Sequence, residues 1–374
     1  MKISVLQENL KQSLAHVQKA IPSRPSLPIL TSVLLTAGEN KTTIAATDLY
    51  FGIRTTFPTT TEEKGVIVLP GKQLRDIIFS LPVGSMKIEH SESTARIQSS
   101  AGKASLQSQN SEEYPPFPEV EGNEITLLTK DLSKIVTNIV PSASTDQTRP
   151  VLTSVLMEFS DKQLKAVATD GFRLAIETLE IKNSPKSGEG EGFSLLVPAK
   201  VLVEVKNIAE QLEVEEISCS VSTELKQLFF SIGAVEVFAR LIEGEFPPYS
   251  QILPTEFVAE VAVESDVLAD QVKRAMIFAR DSSSIIQIAY ASEQLVISAS
   301  SPAIGSFEGE IGDHSFSGEK GVIAFNAKYV LDFLQLYKSQ TVRLKISGEL
   351  KPALLVTEKS PGYQYVIMPF RLNQ

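Results

Sequence analysis

The sequence contains a single cysteine and three histidines among its 374 residues. One thiol cannot form an intramolecular disulfide, so a disulfide-stapled secreted scaffold is excluded, and a reducing compartment, the cytoplasm, is expected. His16, His90 and His314 have no second histidine, cysteine or carboxylate at ligand spacing, so we expect no metal site. We interpret His16 as a solvated side chain on a helix flank and Cys219 as a structural thiol within a strand.

Long apolar runs and enzyme motifs are also missing. The longest runs, such as residues 66–69 and 193–198, fall far short of the ~18 apolar residues of a membrane-spanning helix. The first residues lack the charged, apolar and small-residue series of a secretion signal, so we expect none. No Walker-type loop, G-x-G-x-x-G or G-x-S-x-G segment occurs. We therefore expect neither a cofactor nor catalysis.

The formal net charge is −10, which argues against a general nucleic-acid binder, because such proteins are normally basic. It does not exclude a protein that places its few cations on one surface. The apolar fraction of 43% and charged fraction of 21% are ordinary for globular proteins. The length predicts roughly two to three domains.

An internal repeat divides the chain. The segment PILTSVLLT begins at Pro28, and PVLTSVLME begins 122 positions later at Pro150; Asp48 and Asp170 keep the same offset. A third, fainter copy aligns Leu268, Val272 and Ala275 with the buried helix faces of the first two copies. The pattern of each copy predicts a helix, a group of strands, a second helix and a second group of strands. We expect strands at residues 29–35 and 151–159 and an inserted surface loop at 182–192.

The repeat predicts an α+β fold of three tandem domains, with helices packed on one face of antiparallel sheets. We place the domains at residues 1–122, 123–254 and 255–374.

Cations recur at matching places in the copies. Lys11, Lys19, Lys134, Lys273 and Arg274 lie on or beside the outer faces of the predicted first helices, and Lys72, Lys200 and Lys328 open the second helices at 128-residue intervals. If these helices share one surface, that surface is basic and suits non-specific phosphate contacts. Since no aromatic residues are interleaved, duplex DNA is favoured over a single strand.

Asp170 is the one residue that suggests an enzyme. It follows a strand and precedes Gly171, and Asp48 recurs in the first copy, whereas the third copy has Ser301. We favour a turn-forming role. The alternatives are a hydrolase or transferase centred on Asp170 and Arg173, or a structural protein that uses its apolar C-terminal segment for assembly.

Five segments carry a resemblance to a known family: MKI (1–3), RPSLPIL (24–30), ATDGFRL (168–174), GEFPPYSQILP (244–254) and VIMPFRL (366–372). With the three-copy layout, the chain resembles the bacterial DNA polymerase III beta subunit, the replicative sliding clamp. The resemblance implies a head-to-tail homodimer that closes a six-domain ring around duplex DNA. It further implies that Arg24 points into the ring, and that Ala104 and Leu106 meet Ile277 and Phe278 at the dimer interface.

The resemblance also implies a pocket for short apolar peptides of DNA polymerase III, the clamp loader and other polymerases and repair proteins. Its implied residues are Leu152, Thr169, Gly171, Phe172, Arg173, Leu174, Pro247, Gln251, Ile252, Pro352, Ala353, Val366, Ile367, Met368, Pro369, Phe370 and Arg371. Phe172 stands where the family commonly has histidine, and Gln251 where it commonly has a basic residue, which alters the expected peptide preference. Asp146 stands where the family commonly has an amide, which weakens an expected phosphate contact.

Overall fold

The computed structural model describes residues 1–119, 123–160, 162–181, 193–222, 226–280 and 283–371. The predicted loop at 182–192 and the predicted domain boundary at 122 lie outside these residues. The described α-helices are α1 (Gln7–Val17), α2 (Gly71–Ser80), α3 (Thr129–Asn138), α4 (Ala199–Gln211), α5 (Ser265–Ala279) and α6 (Ala327–Leu334). The longest of these, α5, has 15 residues, and none of the described helices could span a bilayer.

The strands fall into two compact units. The first unit, Met1–Lys130 with Lys200–Leu241, contains β1–β10 and β15–β17. These strands are β1 (Lys2–Leu6), β2 (Ser32–Ala37), β3 (Lys41–Thr47), β4 (Phe51–Pro58), β5 (Thr60–Glu63), β6 (Gly65–Pro70), β7 (Ser85–Ser91), β8 (Thr94–Ser99), β9 (Gly102–Gln107), β10 (Asn123–Leu128), β15 (Glu216–Ser222), β16 (Gln227–Ile232) and β17 (Val235–Arg240).

The second unit comprises Asp131–Ala199 and Ile242–Gln374. Its strands are β11 (Ser154–Ser160), β12 (Gln163–Thr169), β13 (Arg173–Glu180), β14 (Phe193–Pro198), β18 (Ala259–Glu264), β19 (Ile285–Tyr290), β20 (Leu295–Ser301), β21 (Gly305–Ile311), β22 (His314–Gly318), β23 (Gly321–Asn326), β24 (Thr341–Ile346), β25 (Ala353–Thr357) and β26 (Tyr363–Ile367).

Each unit holds one long and one short antiparallel sheet. The first unit has a five-stranded sheet, β5-β1-β7-β8-β9, and an eight-stranded sheet, β10-β15-β16-β17-β4-β3-β2-β6. The second unit has a nine-stranded sheet, β14-β11-β12-β13-β26-β25-β24-β18-β22, and a four-stranded sheet, β21-β20-β19-β23. The helices pack on these sheets, as the contacts of α1 with β3 and β4 and of α5 with β19–β21 illustrate. The predicted α+β class is confirmed.

The long sheets cross from one repeat copy to the next. In the first unit β4 of the first copy pairs with β17 of the second, with Gly52 opposite Phe238. In the second unit β13 of the second copy pairs with β26 of the third, with Leu174 opposite Val366. We call these pairings the first joint and the second joint.

Two predicted strands begin later than expected. Pro28–Thr31 and Pro150–Thr153 form 3₁₀ turns, and the strands start at Ser32 and Ser154. Proline fixes φ near the helical value and has no N–H for a ladder, so it opens a turn more readily than a strand. The predicted starts at residues 29 and 151 were therefore wrong.

The interpretation of His16 was also wrong. Its side chain is buried at 3% exposure on α1, its Nε2 has no hydrogen-bond partner among the described residues, and burial lowers the pKa of its imidazole. Counting about 100° per residue placed it on the flank, but α1 packs against β3, β4 and α2, and its buried face is wide enough to include His16. Cys219 is buried in β15, and burial raises the pKa of its thiol, which confirms a structural role.

Candidate functional site

The turn that follows β12 is shaped by two side chains. Asp170 Oδ1 accepts the backbone N–H groups of Phe172 and Arg173 at 2.9 and 3.0 Å. Thr169 Oγ1 accepts the N–H of Gly171 at 3.1 Å, and Gly171 has a φ of +94°, where glycine avoids strain. These contacts make Asp170 a turn-forming residue.

The first copy builds the same turn. Asp48 Oδ1 accepts the N–H groups of Tyr50 and Phe51 at 2.9 and 2.7 Å, and Thr47 Oγ1 accepts that of Leu49 at 2.9 Å. A turn-forming role therefore accounts for the aspartate in both copies. The shared geometry gives no support for a catalytic role of Asp170.

The C-terminal segment docks on this turn. The N–H of Met368 donates to Phe172 O at 2.9 Å, and the N–H of Phe370 donates to Ala324 O at 2.8 Å. The rings of Phe172 and Phe370 stack with centroids 6.4 Å apart and planes 9° from parallel. The half-exposed Phe172 and half-buried Phe370 therefore form one aromatic wall.

An apolar core supports the wall from below. Leu174 and Val366, opposite each other across the second joint, belong to a buried cluster against which Phe246, Tyr249 and Leu253 pack. The Tyr249 hydroxyl donates to Glu158 Oε2 at 2.5 Å, and burial, together with this carboxylate, raises the pKa of that hydroxyl. The segment containing Pro247, Gln251 and Ile252 is thereby held against the same core.

The implied pocket residues divide by exposure. The buried ones are Leu152, Thr169, Arg173, Leu174, Ala353, Val366 and Ile367. Those with accessible surface are Gly171, Phe172, Pro247, Gln251, Ile252, Pro352, Met368, Pro369, Phe370 and Arg371. The second unit thus brings the implied residues to one place, with an apolar floor and a partly exposed rim.

Arg173 differs from the other implied pocket residues because its charge is buried, with 7% of its side chain exposed. Its Nε donates to Asp170 Oδ2 at 3.1 Å and its Nη1 to the Tyr365 hydroxyl at 3.1 Å. Nη1 also donates to Asp332 and Nη2 to Pro141 O. The guanidinium carbon lies 4.6 Å from the centroid of the Tyr329 ring.

Sequence reasoning missed Arg149, Asp332 and Tyr329 at this site. Arg149 Nη1 lies 3.6 Å from the point where a Cβ on Gly171 would stand, and half of its side chain is exposed. The sequence could have suggested Arg149 for this site, because it directly precedes Pro150, where the repeated segment begins. No local pattern could have joined Asp332 to Arg173, because 159 positions separate them.

The nine implied DNA-facing cations are all exposed: Lys11, Lys19, Arg24, Lys72, Lys134, Lys200, Lys273, Arg274 and Lys328. Within the part of the chain that the structure describes, Lys19 Nζ lies 3.9 Å from Glu204 and Lys273 Nζ lies 3.2 Å from Asp270. Asp146 is paired with Arg149, and hydrogen bonds from Thr148 lower the pKa of its carboxyl.

The implied dimer residues lie at sheet edges or on α5. Ala104 and Leu106 are half-buried on β9, the edge of the five-stranded sheet. Ile277 is 52% exposed on α5, and the ring of its neighbour Phe278 stacks on Phe307 of β21, with centroids 6.3 Å apart. β21 is the edge of the four-stranded sheet.

Comparison with known families gives three matches in series. Models for the N-terminal, central and C-terminal domains of the DNA polymerase III beta subunit match residues 1–118, 126–248 and 250–371. The chain belongs to the DNA polymerase III beta subunit family. Its fold is accordingly three tandem clamp domains, and it is a non-catalytic subunit.

Individual relatives agree over their full lengths. The chain is 28% identical to the beta sliding clamp of Staphylococcus epidermidis, with 99% of each chain covered. It is 29% identical to that of Synechocystis sp., with all of both chains covered. Its fold is similar to the DNA polymerase sliding clamp of Bacillus subtilis, with a TM-score of 0.92, 26% identity and full coverage of both chains.

Proposed function

We propose that the chain is a DNA sliding clamp, a processivity factor that closes around duplex DNA as a head-to-tail homodimer in the cytoplasm. It slides without reading sequence and tethers the replicative polymerase and other replication and repair proteins through its peptide pocket. It uses no cofactor. The domain boundaries at residues 122 and 254 belong to this proposal.

The proposal depends on the two short sheets, the five-stranded sheet of the first copy and the four-stranded sheet of the third, which together have the strands of one long sheet. The nine-stranded sheet joins five strands of the third copy, β22-β18-β24-β25-β26, to four strands of the second, β13-β12-β11-β14. The first copy's five-stranded sheet ends at β9, and the third copy's four-stranded sheet ends at β21. In the repeat, β9 occupies the place in its copy that β26 occupies in the third, and β21 occupies the place that β13 occupies in the second. Pairing β9 of one chain with β21 of a second chain would complete the same nine-stranded sheet.

We call this proposed pairing of β9 with β21 the third joint. Its register follows from the residues that occupy matching places of the repeat in the first and second joints. Val237 lies opposite Ile53 in the first joint and Tyr365 opposite Ala175 in the second. The matching residues are Ala104 on β9 and Phe307 on β21. One position along, Lys103 would face Glu308, where the first joint has the ion pair of Glu236 with Arg54. In this register the two edge strands would pair their backbone groups and bring Lys103 beside Glu308, as a heterologous interface that closes a ring requires.

The cations of the second helices support the DNA-facing surface. Lys72, Lys200 and Lys328 each occupy the second residue of α2, α4 and α6. A cation in the first turn interacts unfavourably with the helix dipole, so these lysines do not stabilise their helices. At α6 the N–H of Lys328 already donates to Asn326 Oδ1, so the support comes from the lysine side chains, whose recurrence fits contacts with phosphate oxygens.

The peptide pocket supports the tethering role. The aromatic wall of Phe172 and Phe370 and the rim residue Ile252 offer apolar surface above a packed core. Burying two or three apolar side chains of a partner at ~1.5–3 kcal/mol each, less ordering costs, gives about micromolar affinity. Such affinity allows partners to exchange on one clamp.

The decisive test uses DNA topology. The protein is loaded by its clamp loader onto nicked circular DNA, isolated by gel filtration, and measured again after a restriction enzyme linearises the circle. We expect retention on the circle and loss from the linear form, because a ring slides off a free end. Equal retention on both forms would show a conventional binder and overturn the proposal.

A further inference from the structure

The first copy shows that the turn at the pocket does not need an arginine. Phe51 occupies the place of Arg173 in the first joint, and the Asp48 turn there has the same hydrogen bonds. Phe51 is an ordinary buried residue at 7% exposure. The buried charge at position 173 therefore serves something specific to the second joint.

The partners of Arg173 come from both copies that meet at this joint. Asp170 and Pro141 belong to the second copy, whereas Asp332 and Tyr329 lie on α6 and Tyr365 on β26 of the third. The Tyr365 hydroxyl accepts from Arg173 and donates to Tyr329 O at 3.1 Å, so its donor and acceptor are both used. One guanidinium thus links β13, β26 and α6.

The same guanidinium offers little surface to a peptide, since only 7% of the Arg173 side chain is exposed. Nε, Nη1 and Nη2 each donate within the protein, and Tyr329 covers one face of the plane. Meanwhile the adjacent residue, Phe172, carries the exposed ring and accepts the N–H of Met368. Fixing Arg173 fixes the backbone from which the aromatic wall projects.

We propose that Arg173 is a positioning residue that ties the Phe172–Phe370 wall to α6 and β26, and that it makes no contact with the partner peptide. The inference rests on the proposed pocket. It assigns Asp332, Tyr365 and Tyr329 to the site as the groups that hold Arg173. A lysine cannot replace the arginine, because one ammonium cannot donate in three fixed directions within a plane.

The experiment compares Arg173→Lys, Asp332→Asn and Tyr365→Phe in the full-length chain. The probe is a fluorescein-labelled hexapeptide with two leucines and one phenylalanine, whose affinity and dissociation rate are measured. We expect each variant to bind about tenfold more weakly through faster dissociation, and the Arg173→Lys/Asp332→Asn double variant to lose no more than the stronger single variant. A pair acting as one unit behaves in this non-additive way.

A label on the wall separates positioning from general destabilisation. With 4-fluorophenylalanine at position 172, the wild-type chain should give one narrow fluorine resonance, and Arg173→Lys a broadened or multiple one. Arg54→Lys is the matched control, since Arg54 pairs with Glu236 and stacks on Phe117 at 4.5 Å in the first joint. It should change neither the fluorine resonance nor peptide binding.

Phe370→Ala distinguishes the two proposals. If it leaves peptide binding unchanged, the pocket itself is misplaced and both proposals at this site fail. If it abolishes binding but Arg173→Lys and Asp332→Asn bind as the wild type does, the pocket stands and the positioning role is overturned. Additive losses in the double variant would also overturn it, because Arg173 would then act independently of Asp332.

Discussion

At the residue scale, the two joints differ at matched positions although their turns share one geometry. Gly52 of the first joint faces Phe238, whose Cε1 would stand 2.1 Å from a Cβ added to that glycine. In the second joint Leu174 faces Val366 instead. The Phe238 ring packs edge-on against Phe117 at the first joint, with centroids 4.9 Å apart. An aromatic ring of the chain itself thus occupies space that the second joint leaves to smaller side chains.

Arg54 and Glu236 further separate the first joint from the second. They line a cavity of about 410 Å³ together with three threonines, Leu34, Ala45 and Phe117. Their counterparts in the second joint are Ile176 and Gln364, which carry no charge. An apolar peptide bound there would remove the charges of Arg54 and Glu236 from water, which costs free energy. This difference supports the proposed peptide pocket at the second joint rather than the first.

Glu177 is a buried carboxyl at the second joint, 3% exposed, beneath α3. Burial raises the pKa of Glu177, while the Asn138 amide, 2.8 Å away, and Lys134 lower it and Asp131 raises it. Tyr363 lies opposite on β26, and its hydroxyl donates to Asn138 O. Since the folded pKa exceeds the unfolded one, the ionised carboxyl costs stability, and this cost grows as pH rises from the unfolded pKa to the folded pKa.

We predict that Glu177→Gln raises the thermal unfolding midpoint at pH 8 and that the gain shrinks as the pH falls toward 4.5. A glutamine keeps an acceptor for Asn138 but carries no charge. Midpoints measured by circular dichroism at half-unit pH intervals test this. Glu180→Gln, on the same strand but exposed, should show no such trend. A gain that is independent of pH would contradict the assignment.

At the element scale, edge strands and helix starts carry the proposed assembly. β9 and β21 are edge strands of the described sheets, and the backbone groups of such an edge can pair with a strand of another chain. The internal joints show how such edges pair in this chain, so the third joint can be drawn by analogy with the other two. The second helix of each copy likewise has a lysine at its second residue.

We predict that Lys103→Glu weakens the dimer and that adding Glu308→Lys restores it, because the proposed cross-strand pair is then reversed rather than removed. Sedimentation velocity at several concentrations gives the dissociation constant of each variant. Lys87→Glu is the control, since Lys87 is exposed on β7 of the same sheet but not on its edge strand. If the double variant dimerises no better than Lys103→Glu, the register is wrong.

At the scale of the whole molecule, a net charge of −10 coexists with recurring exposed cations on or beside the helices. In the proposed ring the acidic excess discourages DNA from the outer surface, while the cations accept phosphates without fixing a register. Processivity then comes from encirclement rather than tight binding.

We predict that replacing Lys72, Lys200 and Lys328 with alanine weakens duplex binding at every sequence. The plot of log affinity against log salt should become shallower by about 0.9 for each phosphate that the protein no longer neutralises. Fluorescence anisotropy with a short labelled duplex at several salt concentrations measures both quantities. Alanine at the exposed Lys41, Lys64 and Lys359 should leave the slope unchanged, which rules out an effect of total charge alone.

The sequence by itself determined the three copies, the apolar stripes of the first helices and the turn-forming aspartates, because these depend on local spacing and on recurrence, but it did not place His16. It also placed Cys219 in a buried strand. It could not foresee that Pro28 and Pro150 open 3₁₀ turns, since short apolar segments after proline suit a strand equally well.

Only the tertiary structure decided which residues of the ATDGFRL segment at 168–174 are accessible. By sequence, Phe172 and Arg173 were both candidates for the wall of a peptide pocket. Folding turns the Phe172 ring outward to meet Phe370 and turns the Arg173 guanidinium inward to Asp332 and Tyr365. Those partners are separated from it by 159 and 192 positions, so their contact depends on strand pairing and helix packing that no local pattern encodes.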